Sequence, residues 1–465
     1  MKIKQKKIAV LGLGISGMAA ARLALRHCAN VSVWDEAGSD CLEERAEQLR
    51  SQGASVELGV KSYPELKPDI SVISPGVEPG SILGRFALEA GGEVLSEVEF
   101  GWSFMEEVPL IAITGTNGKT TTAELCAFIL NENGISTHAS GNIGYPVSSL
   151  ALEDKRYSVN VFEVSSFQLE RIRNFCPKIA VLTNISPDHL ERYPSEEEYL
   201  LTKLKIFSRQ RAEDWALIQW DAAQLIFEKQ KKLWKKEGYL KPRLLTYSAE
   251  SNQADVYLQD GWIICRGVHN LPEGKWLEVK KLKLQGNHNF ENVMASLLAT
   301  VLSGVPVQKA CQSVAGFEPS AHRCQLVDVV KGVRYINDSK ATNVDATRQA
   351  LKMTPMGKKT WLIAGGKDKG FDFGGLEDLL SSRVRGAILI GETRERIRRE
   401  WEKHVHCVFA NSLEEAVCHA SQNATAGELV LLSPACSSFD MFRSYVHRGE
   451  LFRQYVEKVK KENEI

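Results

Sequence analysis

The stretch Val108 to Thr122, VPLIAITGTNGKTTT, decides the fold. An apolar strand runs into a glycine-rich turn and then into a helix, AELCAFIL, the layout of a loop that cradles polyphosphate in an α/β domain. The reasons are local. Gly115 and Gly118 let the backbone turn its N–H groups inward, Lys119 sets a point charge between phosphates, and Thr120 offers a hydroxyl to Mg²⁺. Ile113 stands six residues before Lys119, where the general phosphate-loop pattern has glycine, so this loop is a variant of that pattern.

Around it lies a chain of 465 residues, too long for one ordinary core and matching a prior of roughly three domains. Hydrophobic residues make up 43% and charged residues 25%, the balance of a water-soluble globular protein. Lys+Arg and Asp+Glu are equal at 58, so no global field draws the chain to nucleic acid or to a membrane, and any anion must be held by local sites. The 10 Cys are scattered without a CxxC pair, which reads as reduced core thiols of a cytoplasmic protein. The opening MKIKQKKIAVLGLGISG has a basic start, but Gly12, Gly14, Ser16 and Gly17 break its apolar run, so export is not expected. No apolar run approaches the ~20 residues of a membrane span.

From the N-terminus, Lys7 to Leu13 reads as a buried parallel strand, Gly14 to His27 as a helix and Asn30 to Asp35 as the next strand. Gly12, Gly14 and Gly17 give GxGxxG, and Asp35 closes the second strand where a ribose hydroxyl would be bound. Taken alone, this unit predicts NAD, yet a glycine turn at a helix N-terminus accepts any pyrophosphate. Asp69 to Ser74 forms another strand, and SPGVEPG follows at its carboxyl end, where open α/β sheets place their ligand crevice. Gly91 to Phe100 leads toward the phosphate loop and carries the first domain boundary.

Past the loop helix, GNIGYP at Gly141 to Pro146 is a turn that presents Asn142. Ser158 to Val164 forms a strand ending near Glu163, an acid at a strand tip beside a phosphate loop and so a candidate Mg²⁺ ligand. Ile179 to Asn184 delivers NISPDHLERYP, with Asp188 and His189, to the same edge. In the helix after Pro194, Leu200, Lys203, Leu204 and Phe207 share one face, which turns Lys203 toward packed structure; a snorkelling lysine is the competing reading. Lys229 to Arg243 reads as a basic surface helix, with RNA or membrane contact as the minor alternative. Leu282 to Ala299, LKLQGNHNFENVMASLLA, reads as a strand, a turn and a helix whose first turn carries Asn289 and Asn292, either as adenine-reading amides or as caps.

Gly304 to Val327 marks the second domain boundary, where Pro319 and the small residues near it read as a linker, followed at once by Arg323, a candidate for phosphate or base stacking with a surface arginine as the competing reading. Then Val333 to Thr347, VRYINDSKATNVDAT, ends a strand in Asp338, Ser339 and Lys340 and opens a helix near Thr342 and Asn343. An acid, a cation and a helix N-terminus therefore converge. Trp361 to Asp372, WLIAGGKDKGFD, and Leu429 to Arg443, LVLLSPACSSFDMFR, are two more strands that end in glycine, lysine or serine turns.

TGTNGKTT, NDSKATN and these two strand ends resemble, in order and across the whole chain, the Mur ligase family of ATP-dependent amide-forming enzymes, and NDSKATN resembles the branch that adds D-glutamate. The resemblance implies three α/β domains: a Rossmann-like UDP-substrate domain over 1–97, a P-loop-type ATPase domain over 98–317 and a Rossmann-like amino-acid domain over 318–465. It implies that Ile15, Ser16, Asp35, Ser74 and Asn142, with His189, hold UDP-N-acetylmuramoyl-L-alanine, Glu36 standing where relatives carry a small hydroxyl residue. ATP falls to Gly115, Thr116, Asn117, Gly118, Lys119, Thr120, Thr121, Asn289, Asn292, Arg323, Asp338 and Lys340. D-glutamate falls to Thr342, Lys369, Ser438 and Phe439. Two Mg²⁺ ions fall to Thr120, Glu163, His189 and Lys203, the last as a CO₂-derived carbamate, with Lys119, His189 and Lys203 as the catalytic set. The implied protein acts as a monomer, needs no nucleic acid, activates a carboxylate as an acyl phosphate and closes its last domain to exclude water.

Overall fold

The computed structural model describes residues 1–105, 107–188, 192–236, 242–318, 321–368 and 372–464, with backbone alone over 229–236 and at 464. His189, Pro319 and Lys369 thus lie outside the described residues. The chain divides into two compact units, one of Met1–Ile185, Glu197–Leu282 and Asn289–Phe317, the other of Ser186–Glu196, Lys283–His288 and Glu318–Ile465. Among the described residues the strands form three sheets, in a mixed α/β class dominated by parallel pairing.

In the first unit, one sheet has five parallel strands in the order Ser55–Leu58, Asn30–Asp35, Lys7–Leu11, Ile70–Ile73, Glu93–Ser96. The order reverses between Lys7–Leu11 and Ile70–Ile73, so a crevice opens at their carboxyl ends, beside Gly12 and Ser74. The helix Ile15–Arg26 buries Met18, Leu23 and a run of alanines against the sheet.

The second sheet of this unit runs Gly274–Glu278, Trp262–Cys265, Val256–Gln259, Arg243–Ser248, Trp215–Gln219, Ile179–Leu182, Leu110–Thr114, Asn160–Glu163, Ala139–Gly141. Trp262–Cys265 pairs antiparallel with both of its neighbours and all the other pairs are parallel. Leu110–Thr114 is buried at all positions, as a strand covered on both faces must be, and its continuous apolar run LIAIT follows from that. The central position of this strand delivers the glycine turn between the tips of Asn160–Glu163 and Ile179–Leu182.

The third sheet, in the second unit, is ordered Gln325–Val330, Val333–Asn337, Leu429–Leu432, Thr360–Gly365, Val384–Ile390, His406–Phe409, with an antiparallel hairpin at one edge and parallel pairs elsewhere.

One expectation needs correction. Leu282 to Gln285 is no strand: a 3-10 turn, Val279–Lys281, leads through it to the helix Asn287–Leu302. Leu282 and Leu284 are buried while the lysine between them is exposed, so the alternation records which side chains turn inward and says nothing of backbone pairing. Ahead of the boundary near Pro319, Val307–Gly316 is a helix that buries Val307, Ala310, Cys311 and Val314.

Candidate functional site

The N-terminal crevice is drawn together by side chains that the sequence singled out. Asp35 accepts the Leu13 N–H at 2.6 Å and the Ala37 N–H at 2.8 Å, which fixes the glycine turn against the second strand. Ser74 Oγ donates to the Gly12 carbonyl at 2.9 Å across the reversal of strand order. A side chain at Gly17 would meet the Gly12 oxygen at 1.8 Å, so glycine is what lets the helix approach the turn. Ile15 and Ser16 are the first two helical residues; Ile15 is exposed and Ser16 half-buried, so this helix N-terminus opens to solvent as a pyrophosphate site requires. Glu36 accepts the Leu83 N–H at 2.8 Å, tying the crevice to the helix Ile82–Glu89.

The phosphate loop is built from its own glycines and two neighbouring strand ends. Gly118 caps the helix Lys119–Glu132 in the left-handed region, φ 82°, and a Cβ there would sit 2.3 Å from Asn292 Oδ1. Only glycine satisfies both conditions. Asn292 is buried; its Oδ1 accepts from Thr122 Oγ1 at 3.3 Å and its Nδ2 donates to Asn289 Oδ1 at 3.4 Å, so Asn292 stands against the loop glycine with Asn289 bonded to it. Thr183 and Asn184 support the turn: Thr183 Oγ1 donates to the Asn117 carbonyl at 2.5 Å, and Asn184 Oδ1 accepts the Asn117 N–H at 2.8 Å. Thr121 is buried on the helix behind.

At the mouth, Lys119 Nζ donates to the carbonyls of Gly115 at 3.0 Å and Thr116 at 2.8 Å. Lys203 Nζ reaches the same Gly115 oxygen at 2.8 Å. Lys203 is 1% exposed, which removes the snorkelling reading. Its helix, Glu196–Leu204, also brings Tyr199, whose ring lies 4.6 Å from Lys203 Nζ and whose hydroxyl is 3.2 Å from Thr116 Oγ1. Thr120 Oγ1 donates to Glu163 Oε2 at 2.5 Å, and Asn142 Nδ2 donates to Glu163 Oε1 at 2.8 Å.

A hydroxyl and a carboxylate held side by side at a phosphate loop form a hard oxygen donor set, and Mg²⁺ characteristically takes one or two carboxylates together with water and phosphate oxygens. Thr120 and Glu163 fit that ion. Among the described residues no group of three or more His, Cys, Asp or Glu could hold a metal ion.

In the second unit, the segment after the strand Val333–Asn337 gathers its polar groups as expected. Asn343 caps the helix Val344–Lys352 by accepting the Ala346 N–H at 2.8 Å, and it donates to Asp188 Oδ2 at 3.3 Å. Asp338 accepts from Ser433 Oγ at 2.9 Å and from the Cys324 N–H at 3.2 Å. Burial pushes its carboxyl up to about 6, against the pull of those two donors and of Arg323. Lys340 donates its backbone N–H to the His322 carbonyl at 3.1 Å, and its ammonium stands 3.9 Å from the centre of the Tyr445 ring. Thr342 is half-buried in this turn; Ser438 is buried and Phe439 is 71% exposed at the end of Leu429–Leu432.

Beneath these turns lies Arg448, fully buried, which the sequence reading passed over. Its guanidinium donates to Ser339 Oγ at 3.0 Å, to the Ser339 carbonyl at 2.8 Å and to the Cys436 carbonyl at 3.1 Å. One signal was present: Arg448 falls in the same helical stripe as Phe452, Val456 and Val459, all buried. Tyr199, four residues before Lys203, carried a similar signal.

Comparison with known proteins agrees with this geometry. Residues 113–300 match the Mur ligase middle domain and residues 322–436 the Mur ligase glutamate ligase domain. The UDP-N-acetylmuramoylalanine--D-glutamate ligase of Thermoanaerobacter pseudethanolicus is 36% identical over 99% of this chain and 100% of its own. The protein of the same name from Geotalea daltonii is 40% identical over 98% of both. Among solved structures, the MurF ligase of Thermotoga maritima in complex with ADP superposes with a TM-score of 0.61, at 16% identity over 93% of this chain and 95% of its own. The UDP-N-acetylmuramate-alanine ligase MurC of Thermotoga maritima gives 0.59, at 18% identity over 98% and 100%; these two likenesses are of fold alone. With a glycine cradle, an oxygen donor pair and an acid-bearing turn where its sequence placed them, and with named relatives along its full length, the chain belongs to the Mur ligase family, in the branch of the UDP-N-acetylmuramoylalanine--D-glutamate ligases.

Proposed function

We propose that the protein joins D-glutamate to UDP-N-acetylmuramoyl-L-alanine with consumption of ATP, a step in building the peptidoglycan precursor. Full-length identity to ligases of that name supports the substrate pair and argues against both an oxidoreductase and a sister ligase. The observation that carries the chemistry is the Thr120–Glu163 pair at the mouth of a loop whose helix cap only glycine can fill.

In this reading the chain divides at 97/98 and 317/318 into a Rossmann-like UDP-substrate domain, a P-loop-type ATP domain and a Rossmann-like amino-acid domain. Ile15, Ser16, Asp35, Ser74 and Asn142 serve the UDP-substrate. The cradle of Gly115 to Thr121, with Asn289 and Asn292, orients the triphosphate, and Arg323, Asp338 and Lys340 serve its nucleoside and phosphates. Thr342, Ser438 and Phe439, with Lys369, receive D-glutamate. The substrate carboxylate, a poor electrophile, attacks the γ-phosphorus; ADP leaves and an acyl phosphate forms. The neutral amine of D-glutamate then attacks the acyl carbon, and phosphate leaves with the oxygen that came from the carboxylate.

Lys119, released from its own loop carbonyls, supplies positive charge to the phosphoryl oxygens. Thr120 and Glu163 would hold Mg²⁺, with Lys203 as a carbamate and His189 serving a second ion; metal bound there offsets charge on the transferred phosphoryl group. Free cysteines throughout are in keeping with a cytoplasmic setting, and among the described residues no helix is long and apolar enough to cross a membrane. The test is ADP release, which should require both D-glutamate and UDP-N-acetylmuramoyl-L-alanine, and transfer of ¹⁸O from the labelled carboxylate into inorganic phosphate. Product formed without that transfer overturns the mechanism; equal turnover with another amino acid overturns the acceptor.

A further inference from the structure

The turn from Gly141 to Pro146 has little stiffness of its own. Gly141 and Gly144 both sit at positive φ, 96° and 100°, and glycine leaves the backbone free rather than fixed there. Yet this turn carries Asn142, an exposed residue whose Nδ2 donates to Glu163 Oε1 at 2.8 Å and whose N–H donates to the Glu163 carbonyl at 2.9 Å. The course of the turn therefore sets where the Asn142 amide meets Glu163.

A cluster in the same unit supplies the missing stiffness. The Gly141 N–H donates to the Tyr145 carbonyl at 2.7 Å, which closes the turn onto Tyr145. The Tyr145 hydroxyl donates to Glu153 Oε1, and the Tyr157 hydroxyl donates to the other oxygen, Oε2, at 3.0 Å. Hydrogen bonds to a carboxylate are stronger than those between neutral groups. The bond to Glu153 also pushes the Tyr145 phenol up to about 12, so it remains a donor through the neutral range. The segment around Glu153 is itself fastened. Arg26, at the end of the helix Ile15–Arg26, donates to the Leu152 carbonyl at 2.5 Å and to Asp154 Oδ1 at 2.9 Å. From the other side the His138 ring packs 4.8 Å from that of Tyr145.

We propose that Glu153 is a positioning residue: through Tyr145 it holds the Gly141 to Pro146 turn, so that Asn142 keeps the Glu163 carboxylate aligned with Thr120. Tyr157, on the second oxygen of Glu153, lies outside the turn and steadies the clasp alone. The proposal rests on the reading of Thr120 and Glu163 as the Mg²⁺ pair.

Hydrogen exchange in ligand-free protein reads the turn directly. Tyr145→Phe and Glu153→Leu should each speed exchange over residues 140–146 about tenfold or more, while Tyr157→Phe stays within about threefold of the parent. Parent-like exchange in both Tyr145→Phe and Glu153→Leu overturns the proposal. Rates at saturating ATP read the consequence. The Mg²⁺ concentration for half-maximal rate should rise about threefold or more in Tyr145→Phe, but less than about twofold when the same change is added to Asn142→Ala, because the effect passes through Asn142. Tyr157→Phe should lower Tm and leave that concentration within about twofold of the parent's. A shift in Tyr145→Phe that is absent, that persists undiminished without Asn142, or that Tyr157→Phe matches, makes the cluster merely structural and overturns the proposal. If Asn142→Ala leaves the Mg²⁺ requirement unmoved while exchange responds as stated, the metal reading of Glu163 fails instead, and the hold of Glu153 on the turn stands.

Discussion

Lys203 Nζ and Lys119 Nζ converge on one acceptor, the carbonyl oxygen of Gly115, at 2.8 and 3.0 Å. Two lysines at one oxygen of a phosphate loop concentrate positive charge there, and Thr120 of the same loop holds Glu163. In the proposed function Lys119 serves phosphate, and Lys203 is buried beside it with the Tyr199 ring against its ammonium.

The proposed function makes Lys203 an anionic carbamate, which would offer oxygens to a metal. Lys203→Ala should therefore lower turnover by about a hundredfold or more, and added formate or acetate should restore part of it. Steady-state rates with and without the small acid decide; an Ala variant as active as the parent removes the carbamate from the mechanism.

Gly118, like Gly115, is a loop position with no room for a side chain. Alanine there meets the left-handed backbone penalty of ~1–2 kcal/mol and a clash at 2.3 Å with buried Asn292. Gly118→Ala should cost about 2 kcal/mol or more and weaken ATP binding, whereas Gly14→Ala, with nothing within 4 Å of the added Cβ, should cost below about 1 kcal/mol. Thermal melts with and without ATP separate the two. Equal behaviour of both variants would mean that Asn292 moves aside.

What the sequence disclosed and what it withheld divide along one physical line. Backbone-determined features were readable: Asn30–Asp35 begins and ends where alternation and the closing acid put it, and Asn343 caps its helix as an Asx residue at a strand-to-helix turn should. Glycines at Gly17, Gly115 and Gly118 announced close approach. Contacts between segments distant in sequence were not readable. Nothing local says that Asn142 and Thr120 share the two oxygens of Glu163, that Asn184 holds Asn117, or that Arg448 reaches back 109 residues to Ser339. The failed strand at Leu282 has the same root, because a ladder requires a neighbour that a local pattern cannot supply.

The Thr120–Glu163 pair predicts a metal phenotype. Thr120→Val removes the hydroxyl while keeping the shape, so the Mg²⁺ concentration for half-maximal rate should rise about tenfold or more. Asn142→Ala frees Glu163 Oε1 and should shift it in the same direction by less. Titration of activity against Mg²⁺ at saturating ATP measures both, and a Thr120→Val curve that overlays the parent's would show that the ion is held elsewhere.

Glu97 predicts a pH effect on stability apart from catalysis. It lies in the helix Glu97–Trp102, accepts the Ser148 N–H at 2.6 Å through one oxygen and has no partner on the other. Burial raises its carboxyl from the ordinary 4.5 to about 7. Because the folded value exceeds the unfolded one, its contribution is whole below about 4.5 and is lost as pH rises through 7, an effect on the order of 3 kcal/mol. Glu97→Gln fixes the neutral form and keeps the acceptor for Ser148. Its Tm should exceed the parent's at pH 8 and the difference should shrink toward zero near pH 5, since there the parent carboxyl is itself neutral. Melts across that range decide; a difference that does not depend on pH would mean that Glu97 stays ionised in the fold, with its second oxygen satisfied by water.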